Sequence, residues 1–131
     1  MTVSPKIHLG AALKHPRIVR VVALVWLLLV IVGSLQPARP SPIRPFYVHE
    51  LIHWGAFAGA SFLLLLLSAT RRQEIAAVIA TCLLGLAIEY LQHIMYRNAI
   101  EWRDVTDDCL AILVSFAVYR FATISPAPSE T

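Results

Sequence analysis

At 131 residues the chain has room for one domain, and its composition excludes an ordinary soluble one: 58% of residues are hydrophobic and 15% charged, where soluble domains carry roughly 25% charged residues. A formal charge of +3 would suit nucleic acid in a polar protein. In a chain with a mean hydropathy of +0.69, excess Lys and Arg reports membrane topology instead, so nucleic-acid binding is set aside.

A membrane-spanning helix needs about 20 mainly apolar residues, and four stretches come close: 19–35, 48–69, 74–95 and 107–124. The predicted fold class is all-α, a four-helix transmembrane bundle in contact with the lipid bilayer. It divides into an N-terminal segment over 1–18, a membrane domain over 19–124 and a disordered tail over 125–131, too rich in Pro, Ser and Glu to build a core. The first apolar run follows a long basic segment with Lys6, Lys14, Arg17 and Arg20, and its end, Gly33-Ser34-Leu35-Gln36-Pro37, lacks the small-residue pair of a signal cleavage site. It reads as a retained span. The connector over 36–45 carries Pro37, Pro40, Pro42 and Pro45, which forbid a continuous helix and favour an extended linker. Pro45 suits the first turn of the second helix, where its missing N–H costs nothing.

Orientation follows from the basic residues at the span ends. The N-terminal segment and the Arg71-Arg72 connector are basic, whereas the 97–108 segment sets Glu101, Asp104, Asp107 and Asp108 against Arg97 and Arg103. Both termini are thereby predicted in the cytoplasm, a bias that Arg39 and Arg44 on the opposite side weaken. The polar residues then collect at the extracytoplasmic face: His49, Glu50 and His53 open the second span, Glu89, Gln92 and His93 close the third, and Asp104, Asp107 and Asp108 open the fourth. The cytoplasmic halves read as almost uniformly apolar. Ionisable residues at membrane depth are costly and by default indicate function, although side chains near helix ends can simply be wet.

Three motifs carry chemistry. On the third span, Glu89, Gln92, His93 and Tyr96 recur at helical three-and-four spacing and Arg97 continues the stripe; one face would then present a carboxylate, an amide and an imidazole for a head group, a proton relay or interhelical hydrogen bonds. The string His49-Glu50-Leu51-Ile52-His53 is a formal HExxH, which on a helix stacks two imidazoles for zinc and offers a glutamate to a metal-bound water. A third protein ligand would have to come from Glu89, His93 or Asp104. In the 97–108 connector, Asp104 and Asp108 share a helical face if the last span starts near Val105, with Asp104 or Thr106 as N-cap, and Arg97 beside Asp104 suits a bidentate contact with carboxylate or phosphate. Tyr47, Trp54, Tyr96 and Trp102 fit an interfacial aromatic belt. The two cysteines, Cys82 and Cys109, sit in apolar stretches and frame neither a disulfide scaffold nor a Cys-based metal site.

Taken in order, these residues resemble the VanZ-like family of small bacterial membrane proteins. The resemblance runs from His49 to Tyr119 and rests on His53-Trp54-Gly55-Ala56-Phe57-Ala58-Gly59, on Glu89-Tyr90-Leu91-Gln92, on Arg97 and on Asp104. The chain departs from the family pattern at His49-Glu50, where an Asp-Lys pair is common, at Asp108, where an Asn is typical, and at Ala111, where a Gly is. The resemblance implies a bacterial cytoplasmic (inner) membrane protein with an envelope role linked to glycopeptide (teicoplanin) resistance, and it implies no reaction. The leading expectation is a polar extracytoplasmic site of His53, Glu89, Gln92, Arg97 and Asp104 that takes a lipid or cell-wall precursor head group without a cofactor. In it His53 and Glu89 form a buried hydrogen-bonded or proton-sharing pair, Gln92 orients them, and Arg97 with Asp104 clamps an anion or latches the loop. The alternatives are a membrane zinc hydrolase, with His49, His53 and Glu89 as the metal set and Glu50 as base, and a non-catalytic accessory subunit. The sequence assigns no oligomeric state.

Overall fold

The computed structural model describes residues 15–36 and 46–124. The predicted N-terminal segment up to Lys14, the proline-rich linker with Arg39, Arg44 and Pro45, and the tail over 125–131 lie outside the described residues. So does the side chain of Tyr47.

The described chain is all-helical: α1 (Pro16–Ser34), α2 (Phe46–Leu67), α3 (Arg71–Tyr96) and α4 (Trp102–Ile124). Local chemistry sets several of these ends. Pro16 occupies the first turn of α1, where proline is preorganised and loses no hydrogen bond. Thr70 and Gln73 form a reciprocal capping box at the start of α3, in which each side chain accepts from the other's backbone N–H. Arg97 ends α3 in the left-handed region at φ 55, so it does not continue the Glu89–Tyr96 stripe as predicted. The fourth helix begins at Trp102, five residues before the predicted boundary. Asp104 therefore lies in its first turn, and the Thr106 hydroxyl bonds back to the Trp102 carbonyl instead of capping the helix.

Three helices, α1, α2 and α3, are long and apolar enough to cross a membrane, which marks the chain as a membrane protein. α4 differs because Arg103, Asp104, Asp107 and Asp108 crowd its start and Arg120 its last turns, leaving the uncharged stretch from Cys109 to Tyr119 between them. Large apolar side chains cover the outside: Leu24, Leu28 and Leu29 on α1, Leu51 on α2 and Leu83 on α3 are exposed. A soluble fold would bury such residues; here lipid is the solvent for these faces.

The core is narrow and draws on every helix, with Val30, Phe57, Ile88 and Ile112 packed together. α2 and α4 run parallel: the contacts His49–Asp104, His53–Asp108 and Ala58–Ser115 keep a sequence offset of 55 to 57 residues along their length. α3 runs antiparallel to α4, as its first turn meets Arg120 through Glu74 and its last turns meet Glu101 through Glu89. α1 leans on α2 through the Trp26 indole N–H, which donates to the Ala56 carbonyl at 2.9 Å. The indole lies over Gly59, where a Cβ would come within 2.8 Å of it.

The end opposite the His/Asp cluster carries an ionic group of its own, just outside the apolar 62–67 and 75–84 stretches. Glu74 is 6% exposed and accepts from Arg71 at 3.1 Å and Arg120 at 3.5 Å, while Arg71 also lies over the Phe116 ring, 5.0 Å from its centroid. Glu74 opens a helix, where its charge complements the dipole, and it joins α3 to α4.

Candidate functional site

Four ionisable residues from two helices meet at the end where α2 and α4 begin. His49 and His53 stand one turn apart on α2, as do Asp104 and Asp108 on α4, so each pair projects from one face, and the parallel register sets one face against the other. His49 Nε2 lies 3.1 Å from Asp104 Oδ2. His53 places Nδ1 3.1 Å from Asp108 Oδ1 and Nε2 3.9 Å from Asp104 Oδ2. The two imidazole centroids are 4.6 Å apart. Burial grades inward: the His49 side chain is 60% exposed, those of His53 and Asp104 12% and 13%, and that of Asp108 2%. Below them Phe57 stacks on His53 and the backbone of Gly85 approaches so closely that a Cβ there would stand 3.1 Å from Asp108 Oδ2. The cluster is thus a pit with a dry floor and a wet mouth.

This arrangement corrects the predicted roles. His53 pairs with Asp108 and not with Glu89; Glu89, 3% exposed, instead accepts from the backbone N–H of Glu101 at 3.4 Å. A carboxylate in that position ties the end of α3 to the loop before α4, which explains its burial without chemistry. Gln92 does not orient the site: its amide donates to the Ser34 carbonyl at 2.5 Å, and the Tyr96 hydroxyl donates to the Leu35 carbonyl at 2.6 Å. These two side chains satisfy carbonyls at the end of α1 that the helix itself leaves without partners. His93 contacts the Asn98 carbonyl. The stripe on α3 is therefore structural in two directions, toward α1 and toward the 97–101 loop. Tyr96→Phe is expected to cost about 0.6 kcal/mol, the average for an interhelical hydrogen bond in a membrane, and thermal unfolding in detergent checks it.

Arg97 and Asp104 do not pair with each other to latch the loop. Arg97 is exposed, and among the described residues it makes no ion pair, while Asp104 faces the two imidazoles. Glu50 belongs to a separate surface group, paired with Arg103 at 2.5 Å, and Arg103 also reaches Asp107 at 4.0 Å. The predicted zinc set changes accordingly: His49, His53 and Asp104 each bring one donor atom within 4.8 Å of the others, and Glu89 is not among them. Asp108, which the sequence reading placed at the polar end and on a face with Asp104 but left out of the expected site, is the most deeply buried member of the site. Its i,i+4 spacing from Asp104, the same as that between the histidines, was the available signal. Cys82 and Cys109 are free thiols.

Comparison with protein-family models, with curated proteins and with solved structures finds no match to the chain.

Proposed function

We propose that the chain is a VanZ-like protein of the bacterial cytoplasmic (inner) membrane that crosses it four times with both termini in the cytoplasm. In this reading the end holding His49, His53, Asp104 and Asp108 faces outward and receives the head group of a lipid or cell-wall precursor. The observation that carries it is the convergence of four ionisable side chains from two helices in a chain otherwise sheathed in apolar residues, since such groups at membrane depth are costly to keep.

Two features support the topology. Among the described residues Arg17, Arg20, Arg71, Arg72 and Arg120 gather at one end of the helices, whereas Arg97 and Arg103 at the other are offset by Glu50, Glu101, Asp104 and Asp107. That asymmetry suits the positive-inside rule. α4 serves as the fourth span by burying one face of its uncharged middle, with Ala111 and Ile112 fully covered, by turning Leu113, Val114 and Val118 outward, and by leaving its charged turns at the two interfaces. Arg97, exposed at the end of α3 on the same end of the bundle, supplies a guanidinium for a phosphate or carboxylate, and Trp102, 65% exposed, suits the head-group layer. The link to teicoplanin rests on the family resemblance.

Expression in a teicoplanin-susceptible bacterium is expected to raise tolerance, and Asp104→Asn and Arg97→Ala are each expected to remove that gain at unchanged membrane abundance. Full tolerance in both variants would sink the site. In a Cys82→Ser, Cys109→Ser background, Asn98→Cys is expected to react with a membrane-impermeant maleimide on intact cells and Gln73→Cys only after permeabilisation; the reverse pattern overturns the orientation.

A further inference from the structure

We infer that His49, His53 and Asp104 form a binding site for a divalent transition-metal ion of the zinc class, with Asp108 as the group that holds His53 in its ligating form. The inference goes beyond head-group binding and stands or falls separately from it.

The donor geometry is the first argument. Zinc bonds of about 2.0–2.1 Å to nitrogen and oxygen, set tetrahedrally, place donor atoms about 3.3 Å apart. The separations here, 3.1 Å from His49 Nε2 and 3.9 Å from His53 Nε2 to the same Asp104 oxygen, lie either side of that spacing, and all three donors fall within 4.8 Å. Side-chain adjustment of about 0.6 Å at His53–Asp104 and of up to about 1.5 Å between the two imidazoles closes the set, a range that side-chain rotation covers.

The second argument is the proton on His53. An imidazole ligates through a nitrogen that carries no hydrogen, and the hydrogen bond made by its other nitrogen decides which one that is. Asp108 Oδ1, almost fully buried, lies 3.1 Å from Nδ1, and because a carboxylate only accepts, it holds a hydrogen on Nδ1 and leaves Nε2, which faces Asp104, as the nitrogen that a metal ion would take in place of any proton. A carboxylate behind a histidine is the arrangement by which metal sites orient their ligands and raise their basicity. An ordinary ion pair between α2 and α4 would need only one histidine and one aspartate. Here two of each are stacked so that the inner pair orients the outer three donors.

Three protein donors leave a tetrahedral ion one further position. It lies on the exposed His49 side, where water or the oxygen of an incoming anion has access. Glu50, which in an HExxH hydrolase would act on that water, is instead held by Arg103, so the geometry assigns binding and not hydrolysis.

The test uses the full chain, metal-free and without an affinity tag, in detergent micelles, titrated with zinc alone and separately with cobalt(II) alone. One zinc per chain retained after dialysis, and a tetrahedral cobalt absorption spectrum, are expected. His49→Ala, at an exposed position whose loss does not threaten folding, and Asp104→Asn are each expected to abolish stoichiometric retention. Asp108→Asn is expected to weaken zinc about 10- to 100-fold while keeping the stoichiometry, as loss of an outer-shell partner does. His93→Ala, outside the triad, is expected to bind as the parent does. Retention well below one zinc per chain, or undiminished binding by both His49→Ala and Asp104→Asn, overturns the inference. Because no lipid is added, neither result depends on whether a head group binds or tolerance is conferred.

Discussion

Asp108→Ala is expected to lower the stability of the protein by about 2–3 kcal/mol, toward the top of the range for leaving a buried hydrogen-bonding group without its partner. Asp108 is 1% exposed, and its Oδ1 faces His53 Nδ1 at 3.1 Å; removing the carboxylate orphans the imidazole N–H at the floor of the site, beside Phe57. Hydrogen bonds between membrane helices average only about 0.6 kcal/mol, because inserted but unpacked helices still find partners for their polar groups. A loss several times larger therefore measures the dryness of this position and not the mere presence of a bond. Asp108→Asn keeps an oxygen acceptor in place and is expected to cost less than half as much. Gly85→Ala should act in the same direction as Asp108→Ala, since its Cβ would press on the carboxylate from 3.1 Å and on Phe57 from 3.4 Å. Reversible thermal or denaturant unfolding in detergent, followed by circular dichroism, compares the three variants. If Asp108→Ala stays within about 0.5 kcal/mol of the parent, a surface-like value, the carboxylate does not secure α2 to α4.

Gly59→Ala is expected to destabilise the protein by up to about 2 kcal/mol, the overpacking cost less the helix-propensity gain, and to become neutral or stabilising once Trp26 is removed. Helix propensity alone favours alanine over glycine by about 1 kcal/mol. Against it, the new methyl group would stand 2.8 Å and 2.9 Å from ring carbons of Trp26, closer than carbon atoms can pack. The indole must then move outward, breaking its 2.9 Å hydrogen bond to the Ala56 carbonyl and opening the α1–α2 contact; overpacking of this kind costs about 1–3 kcal/mol. In a Trp26→Ala background the clash is gone and only the propensity gain remains. The change of sign across this double-mutant cycle is the diagnostic. Equal effects of Gly59→Ala with and without Trp26 would show that the close approach does not hold α1.

Much of the fold was legible in the sequence because its signals are local. Hydropathy over about 20 residues located all four helices, and the apolar faces of α1, α2 and α3 need no partner to be recognised. The i,i+4 spacings of His49 with His53 and of Asp104 with Asp108 put each pair on one face. The convergence of polar residues at one end followed from counting spans. The error at the start of α4 has a local cause as well: a run of charges reads as loop by hydropathy, but Asp104 in a first helical turn is favoured by the helix dipole.

Partner choice was a different matter. Whether His53 meets Glu89 or Asp108 depends on how far each helix is rotated and shifted against its neighbours, a quantity to which no single segment's pattern refers. The close packing of α2 on α4 and the near approach of Gly85 to Asp108 settle that rotation in favour of Asp108. Glu89, Gln92 and Tyr96 are thereby turned to backbone groups of the 101 loop and the end of α1. The sequence by itself determined which residues lie at which end of an apolar, helical chain, because burial in lipid and helical periodicity act along one segment at a time. Only the tertiary structure decided which carboxylate faces which imidazole, because that follows from the register in which α2 and α4 pack.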